Sequence, residues 1–225
     1  MGLGGRFACG QHPLLFLTLL RANVRCSLNA ENICIRLARK DDIPGIQRCN
    51  LKTLPENYAI SFYSQHLSNW PHIALVAEEL PAPPSPGTTL LYPRKGEVVG
   101  YVLGRMETGT SKAGLVNRMT RHGHITSLAV MPDFRRLGLA QQMMEKVHSQ
   151  MRLHYSADKS SLHVRITNEG AVRLYQNSLG YETMQVIGNY YSDGEDAFLM
   201  TASLANVETQ TEENPMPRRQ VEISK

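Results

Sequence analysis

Between residues 33 and 204 the chain alternates short apolar runs with amphipathic stretches, a rhythm missing from the segments on either side. Ile33-Cys34-Ile35-Arg36-Leu37 alternates apolar with mixed residues and predicts a first strand; Asp41 and Asp42 stand where they can cap a helix running to about Leu51. Leu54-Pro55-Glu56-Asn57-Tyr58 breaks that helix with a proline and carries an acid, an amide and a phenol, marking a candidate site wall. Helical spacing resumes over residues 61–70 with Phe62 and Leu67 inward, and residues 73–77 and 98–106 read as the second and third strands. Residues 125–130 are apolar and β-branched, a fourth strand that Pro132 and Asp133 end because proline lacks a ladder donor. A helical run through Met151 follows, then a fifth strand over residues 160–166. Asn168 caps a last helix whose Ala171, Val172, Leu174, Tyr175 and Leu179 recur at helical spacing and which Gly180 ends. Two final strands, 181–187 and 197–204, flank a polar hairpin that bears Tyr190 and Tyr191.

This order predicts a mixed α/β domain in which the fourth and fifth strands, joined by a helix, run parallel. Residues 81–87, rich in proline and leading to Lys95-Gly96, are too long for a tight turn and read as a mobile surface insertion. Residues 108–121, with Lys112, Arg118 and Arg121, read as a second mobile loop.

A length of 225 residues with 42 % hydrophobic residues suits one domain plus tails, so residues 33–204 are taken as the domain, 1–32 as an extension and 205–225 as a disordered tail. The net charge of +4 comes from scattered basic residues; it does not call for nucleic acid, and an anionic cofactor or acidic partner surface suffices. Cys9, Cys26, Cys34 and Cys49 form no Cys-x-x-Cys pair, so neither a zinc site nor a disulfide framework is expected, and a reducing compartment fits. The extension has no acid before Glu31, contains Arg6, Arg21 and Arg25, and holds an apolar run at 14–20 too short to span a bilayer. It reads either as an organelle-targeting segment or as an inert extension. Met1-Gly2 suggests myristoylation, but Arg6 occupies the position where that motif requires Ser or Thr.

The most specific chemistry lies just after the fourth strand. Arg135-x-x-Gly138-x-Ala140 puts small residues at a helix start, where backbone N–H groups can approach a pyrophosphate closely and the arginines supply charge.

That motif, followed by Asn168-x-x-Ala171-x-x-Leu174-Tyr175 and Leu179-Gly180-Tyr181, resembles the GCN5-related N-acetyltransferase (GNAT) superfamily. Leu54-Pro-Glu-Asn-Tyr58, Gly123-His-Ile-Thr-Ser-Leu-Ala-Val130, Ser161-Leu-His-Val-Arg165 and Tyr190-Tyr-x-Asp-Gly-Glu-Asp-Ala197 look like the catalytic subunits of the N-terminal acetyltransferase A (NatA) complex. The resemblance covers residues 33–204, while the N-terminal extension and the insertion at 80–96 depart from it. It implies an α/β GNAT fold: a mixed, mostly antiparallel sheet of about seven strands, with a parallel splay between the fourth and fifth and about four helices. It also implies acetyl-CoA as cosubstrate, no metal, and transfer to the α-amino group of nascent protein N-termini. Those N-termini would begin with Ser, Ala, Thr, Gly, Val or Cys after Met removal. A helical-repeat auxiliary subunit, ribosome association through it, a cytoplasmic location with a nuclear pool, and no direct contact with nucleic acid or membrane follow from the same likeness.

Residue by residue, acetyl-CoA would lie on Leu128, Ala129 and Val130, on Arg135, Arg136, Leu137, Gly138, Leu139 and Ala140, and beside Asn168 and Tyr175. Tyr175 would protonate the leaving thiolate. Leu54, Pro55, Glu56, Tyr58, His163, Tyr190 and Tyr191 would line the peptide slot, with Tyr191 also counted among the catalytic residues. Glu56 or His124 would take the amine's proton, His124 being equally readable as a satisfied strand histidine. His163 and Arg165 alternate on their strand, so only some of that set is expected to face the site; Arg165 could orient Glu56 or the substrate. An α-amino group has a reference pKa of about 7.7–8.0 against about 10.4 for lysine, so a weak base suffices for the former. Acetylation of a lysine or polyamine would favour a deep acidic pocket, and only Glu56 is offered; a non-catalytic GNAT subunit would have lost Tyr175 or Gly138.

Overall fold

The computed structural model describes residues 32–81, 96–113 and 116–207. The extension before residue 32, most of the proline-rich insertion and the tail after 207 lie outside those residues. Within the described residues seven strands form one sheet: β1 (Ile33–Leu37), β2 (Ala74–Glu79), β3 (Glu97–Ala113), β4 (Val116–Val130), β5 (Lys159–Arg165), β6 (Glu182–Ile187) and β7 (Ala197–Ser203), in the order β1-β2-β3-β4-β5-β7-β6. Among the described residues four helices accompany it: α1 (Ile43–Thr53), α2 (Ile60–Asn69), α3 (Leu139–Tyr155) and the short α4 (Glu169–Arg173). Every neighbouring pair is antiparallel except β4 and β5, whose crossover is α3.

β2 and the first half of β3 are buried almost throughout because both faces of the sheet are covered. On one face α1 reaches the Tyr101 hydroxyl, to which Asn50 Nδ2 donates at 2.9 Å. On the other lies α3, whose buried Met143 and Met151 approach the sheet at Gly100, Gly104 and Gly123. A Cβ at Gly104 would stand 2.8 Å from Met151 Cε, and one at Gly123 would collide with Met151 Sδ, so these glycines let the helix lie close. Burial of each such methionine contributes about 1.5–3 kcal/mol.

The site depends on one irregularity. β4 and β5 pair only from His122 opposite Lys159 to Ile125 opposite Leu162. At the next residue the β3–β4 ladder shifts, with Gly104 opposite Ile125 but Leu103 opposite Ser127, so Thr126 is the extra residue of a bulge. Beyond it β4 follows β3, β5 follows β7, and the two parallel strands splay.

Three expectations are corrected. Residues 108–121 are not a loop: β3 and β4 continue as a ribbon with Thr108 opposite Arg121, Lys112 opposite Asn117 and Ser111 opposite Arg118. Backbone pairing continued from the adjoining ladder sets that register, and no apolar alternation in the sequence marks it. Asp42 does not cap α1; its carboxylate bonds Arg36 at 2.6 and 2.9 Å and accepts from Arg39 N–H at 2.8 Å, tying the turn at 40–42 to β1. Phe62 is only half-buried and stacks on Tyr58 at 4.3 Å, while Tyr63 and His66 take the inward positions with Leu67.

Candidate active site

One wall of the splay is the edge of β4 at Leu128, Ala129 and Val130, which has left its parallel neighbour. After the turn at Pro132–Phe134, Arg135 Nε donates back to the Val130 carbonyl at 3.1 Å, fixing the loop against the strand end. Arg136 (φ 68°) and Gly138 (φ 75°) are both left-handed, and Gly138 is the N-cap of α3. Left-handed residues in such a turn direct successive N–H groups to one side. Gly138 supplies no capping side chain to α3, so the first-turn N–H groups of Leu139 and Ala140 and the positive end of a 17-residue helix are open to an anion.

The opposite wall follows β5. Asn168 Oδ1 accepts from Ala171 N–H at 3.2 Å and caps α4, which widens into a π-helical turn over Leu174–Ser178. Tyr175 sits in that turn, buried, its carbonyl accepting from Tyr181 N–H at 2.9 Å. Burial pushes its phenol up to about 12, so it holds its proton across the neutral range. It lies within electrostatic reach of Tyr191, whose own phenol is raised mainly by burial.

Arg165, at the end of β5, gathers the second half of the site. Its Nη2 donates to Glu56 at 2.5 Å and its Nη1 to Asp193 at 2.8 Å and Glu195 at 2.5 Å, while its guanidinium lies 4.0 Å from the centre of the Tyr191 ring. The loop between α1 and α2 is thereby latched to the hairpin between β6 and β7. Thr167 strengthens the hairpin end through its hydroxyl and N–H to Glu195. His163 stacks on Tyr190 at 4.3 Å and lies 5.3 Å from the His124 ring. The expectation that only some of His163 and Arg165 face the site is corrected: two residues apart on a strand they share one face, and both contact the tyrosines of the β6–β7 hairpin. His124 is buried, bonded through Nδ1 to Ser161 Oγ at 2.8 Å. Desolvation, then the nearby Arg105 charge, lowers its pKa to about 4. It is neutral at physiological pH.

The acetyltransferase (GNAT) family model matches residues 51–181. This chain belongs to that family. Two relatives resemble it along most of their length: the N-alpha-acetyltransferase daf-31 of Caenorhabditis elegans is 42 % identical over 76 % of this chain and 82 % of its own. The N-terminal acetyltransferase A complex catalytic subunit NAA10 of Arabidopsis thaliana is 41 % identical over 76 % and 78 %. Among solved structures, the NatB acetyltransferase complex bound to CoA and MES is 27 % identical, superposes with a TM-score of 0.58, and is matched over 75 % of this chain and 97 % of that one.

In this GNAT chain the structure links Glu56, Tyr58, His124, His163, Arg165, Tyr190 and Tyr191 through ion pairs, ring contacts and nearby charge, while Leu128 to Ala140 lie on one arm of the splay and Asn168 and Tyr175 on the other. Leu54 packs partly buried against the core at the foot of the Pro55-Glu56 loop. Sequence reasoning passed over Ser161, Arg105, Asp193 and Glu195. Ser161 lies two positions before His163, a spacing that puts both on one face, and Arg105 stands opposite His124 in the register. Asp193 and Glu195 were part of the hairpin motif but carried no role, because nothing in their spacing shows that they share a cation with Glu56. Arg105 forms its own pair with Glu107 at 2.6 Å at the floor's edge. Among the described residues no group of three or more His, Cys, Asp or Glu converges as a metal site.

Proposed function

We propose that this protein is an acetyl-CoA-dependent N-alpha-acetyltransferase acting on the free α-amino group of protein N-termini, with small first residues exposed after Met removal as its main substrates. The observation that carries this reading is the Arg165 latch: its guanidinium joins Glu56 to the Tyr191 ring and the Asp193–Glu195 hairpin, while His163 stacks on Tyr190 and lies beside the neutral His124, a set of residues that would form the peptide slot. Acetyl-CoA, when bound, supplies an activated acyl group and a thiolate leaving group.

The chain's own residues supply the rest. Backbone N–H groups from Arg136 to Ala140 meet the pyrophosphate, and the edge of Leu128–Val130 pairs with the amide-bearing arm as another strand would. Asn168 borders that arm from the other wall. Glu56, through a water molecule, or His124 accepts the amine's proton; with its proton on Nδ1 toward Ser161, His124 presents a lone pair on Nε2. Because His124 stays neutral, it adds no charge that repels an incoming ammonium. Tyr190, His163 and Tyr191 form the aromatic wall, with Leu54, Pro55 and Tyr58 facing them across the slot. The Tyr175 hydroxyl returns a proton to the departing sulfur.

Leu51 on α1 and Ile60 at the start of α2 are 59 % and 56 % exposed, apolar positions that suit a helical-repeat auxiliary subunit beside the Glu56 loop. Such a subunit would carry the enzyme to the ribosome for action on nascent chains in the cytoplasm. The deciding assay incubates the full chain, alone and with that subunit, with acetyl-CoA and peptides beginning Ser, Met-Glu and Met-Leu. Turnover greatest on the Ser peptide supports the proposal, and no turnover on any of them defeats it.

A further inference from the structure

Behind the splay lies a buried polar chain that none of the steps above uses. His148 on α3 meets the Tyr181 hydroxyl through Nε2 at 2.7 Å, and that hydroxyl donates to Ser160 Oγ on β5 at 2.8 Å. All three residues are buried, with exposures of 4 %, 2 % and 0 %. The hydroxyl has one proton and gives it to Ser160, so it accepts from His148, whose proton is therefore on Nε2. The result is a directional run from α3 through Tyr181 to β5, in surroundings where polar groups persist only when each finds its partner.

This run spans the two arms of the splay. His148 belongs to the β4–α3 arm, whose other end is the Gly138 cradle. Ser160 and Tyr181 belong to the arm that carries Tyr175. Tyr181 engages Tyr175 twice: its N–H donates to the Tyr175 carbonyl at 2.9 Å, and its ring lies 5.7 Å from the Tyr175 ring at an angle of 57°. Tyr175 stands in a π-helical turn, where the regular backbone ladder of an α-helix is missing and outside support matters more.

We propose that His148, Tyr181 and Ser160 are positioning residues for Tyr175, setting the distance between the phosphate end of the site and the hydroxyl that meets the sulfur. The inference rests on the reading of Tyr175 as proton donor given above. These residues do not touch substrate; they act through the place they give the Tyr175 ring. Misplacing a reacting group by about 1 Å can cost about 100-fold, so losing one link of the chain is expected to lower turnover by about tenfold.

The test is a double-mutant cycle on the full chain, with acetyl-CoA and the peptide acetylated fastest. Y181F keeps the ring and deletes both hydrogen bonds. It is expected to lower kcat about tenfold with KM for acetyl-CoA held within about twofold, and to add less than about twofold once Y175F is present. H148Q retains an N–H donor and is expected to keep most of the turnover. Unchanged kcat in Y181F, an equal loss in both backgrounds, or a loss carried wholly by KM for acetyl-CoA would each overturn the positioning role. Failure of the underlying reading looks different: the unsubstituted chain acetylates nothing, or Y175F alone turns over undiminished. Should Y181F not fold, S160A in the same cycle removes the far link and is judged by the same outcomes.

Discussion

The Arg165 guanidinium holds the Glu56 carboxylate at 2.5 Å across 109 residues of chain, and the same group holds Asp193 and Glu195 from the opposite side. One cation thus serves three carboxylates, and its removal leaves them facing one another. R165K keeps the charge but loses the planar fork that reaches both loops at once. It is expected to lower kcat/KM for peptide by about 10- to 100-fold with little change in acetyl-CoA affinity. E56Q keeps a hydrogen-bonding group at the same place; combined with R165K it is expected to lose less than the product of the two single effects. Steady-state kinetics on the four proteins, with acetyl-CoA binding measured separately, checks both expectations.

Acid should destabilise this protein through its buried histidines. Burial lowers the pKa of His66, His124 and His148 from 6.5 to about 4. The unfolded chain therefore binds more protons between those values, and stability rises with pH across this window. It is fully present above about 6.5 and is lost as pH falls toward 4. A shift of this size corresponds to about 3 kcal/mol per histidine at its limit. Urea unfolding midpoints taken between pH 7 and 4 are expected to fall steeply, and H66F to flatten part of that slope. A midpoint independent of pH over this range would count against the buried neutral state.

Much of the fold was legible because burial leaves a periodic trace. The strand at Ile33–Leu37, the helix cap at Asn168 and the stop at Gly180 all follow from local patterns, and the crossover through α3 made β4 and β5 parallel. The ribbon at 108–121 was not legible, since its backbone pairing carries no apolar alternation. Within the site, the glycine and arginines of the anion cradle announced themselves by spacing. The Arg165 latch did not: Glu56 comes from one turn of chain and Asp193 and Glu195 from another, and only the folded sheet brings them together. The His148–Tyr181 pair was hidden for a related reason, a polar contact across 33 residues whose members read singly as ordinary helix and strand positions.

Gly138 combines a backbone requirement with a binding one. At φ 75° a side chain is strained whatever the space, and the Cβ of G138A would meet only Gln142 Nε2 at 3.4 Å, so the cost is conformational. It is expected to be about 1–2 kcal/mol, a fall in Tm of about 2–4 °C for each kcal/mol in a chain of this size. If the loop relaxes to relieve the strain, the first-turn N–H groups turn with it and acetyl-CoA affinity falls as well. Calorimetry with and without acetyl-CoA checks this: the stabilisation by ligand should shrink in G138A, whereas a purely structural glycine would lower both melting temperatures equally.

Tyr175 offers the sharpest separation of binding from chemistry. Its phenol is held up at about 12 by burial, so it stays a proton donor from acid to mildly alkaline solution and should produce no falling limb in the pH–rate profile below about pH 10. Y175F removes the proton and keeps the ring that packs on Tyr181. Turnover is expected to fall by about 10²- to 10³-fold, with acetyl-CoA binding and thermal stability nearly unchanged. The departing thiolate then depends on solvent for its proton. A thioester analogue whose thiol has a lower pKa should accordingly lose less activity in Y175F than acetyl-CoA does. If both acyl donors lose activity by the same factor, the hydroxyl is placing the substrate rather than protonating the sulfur.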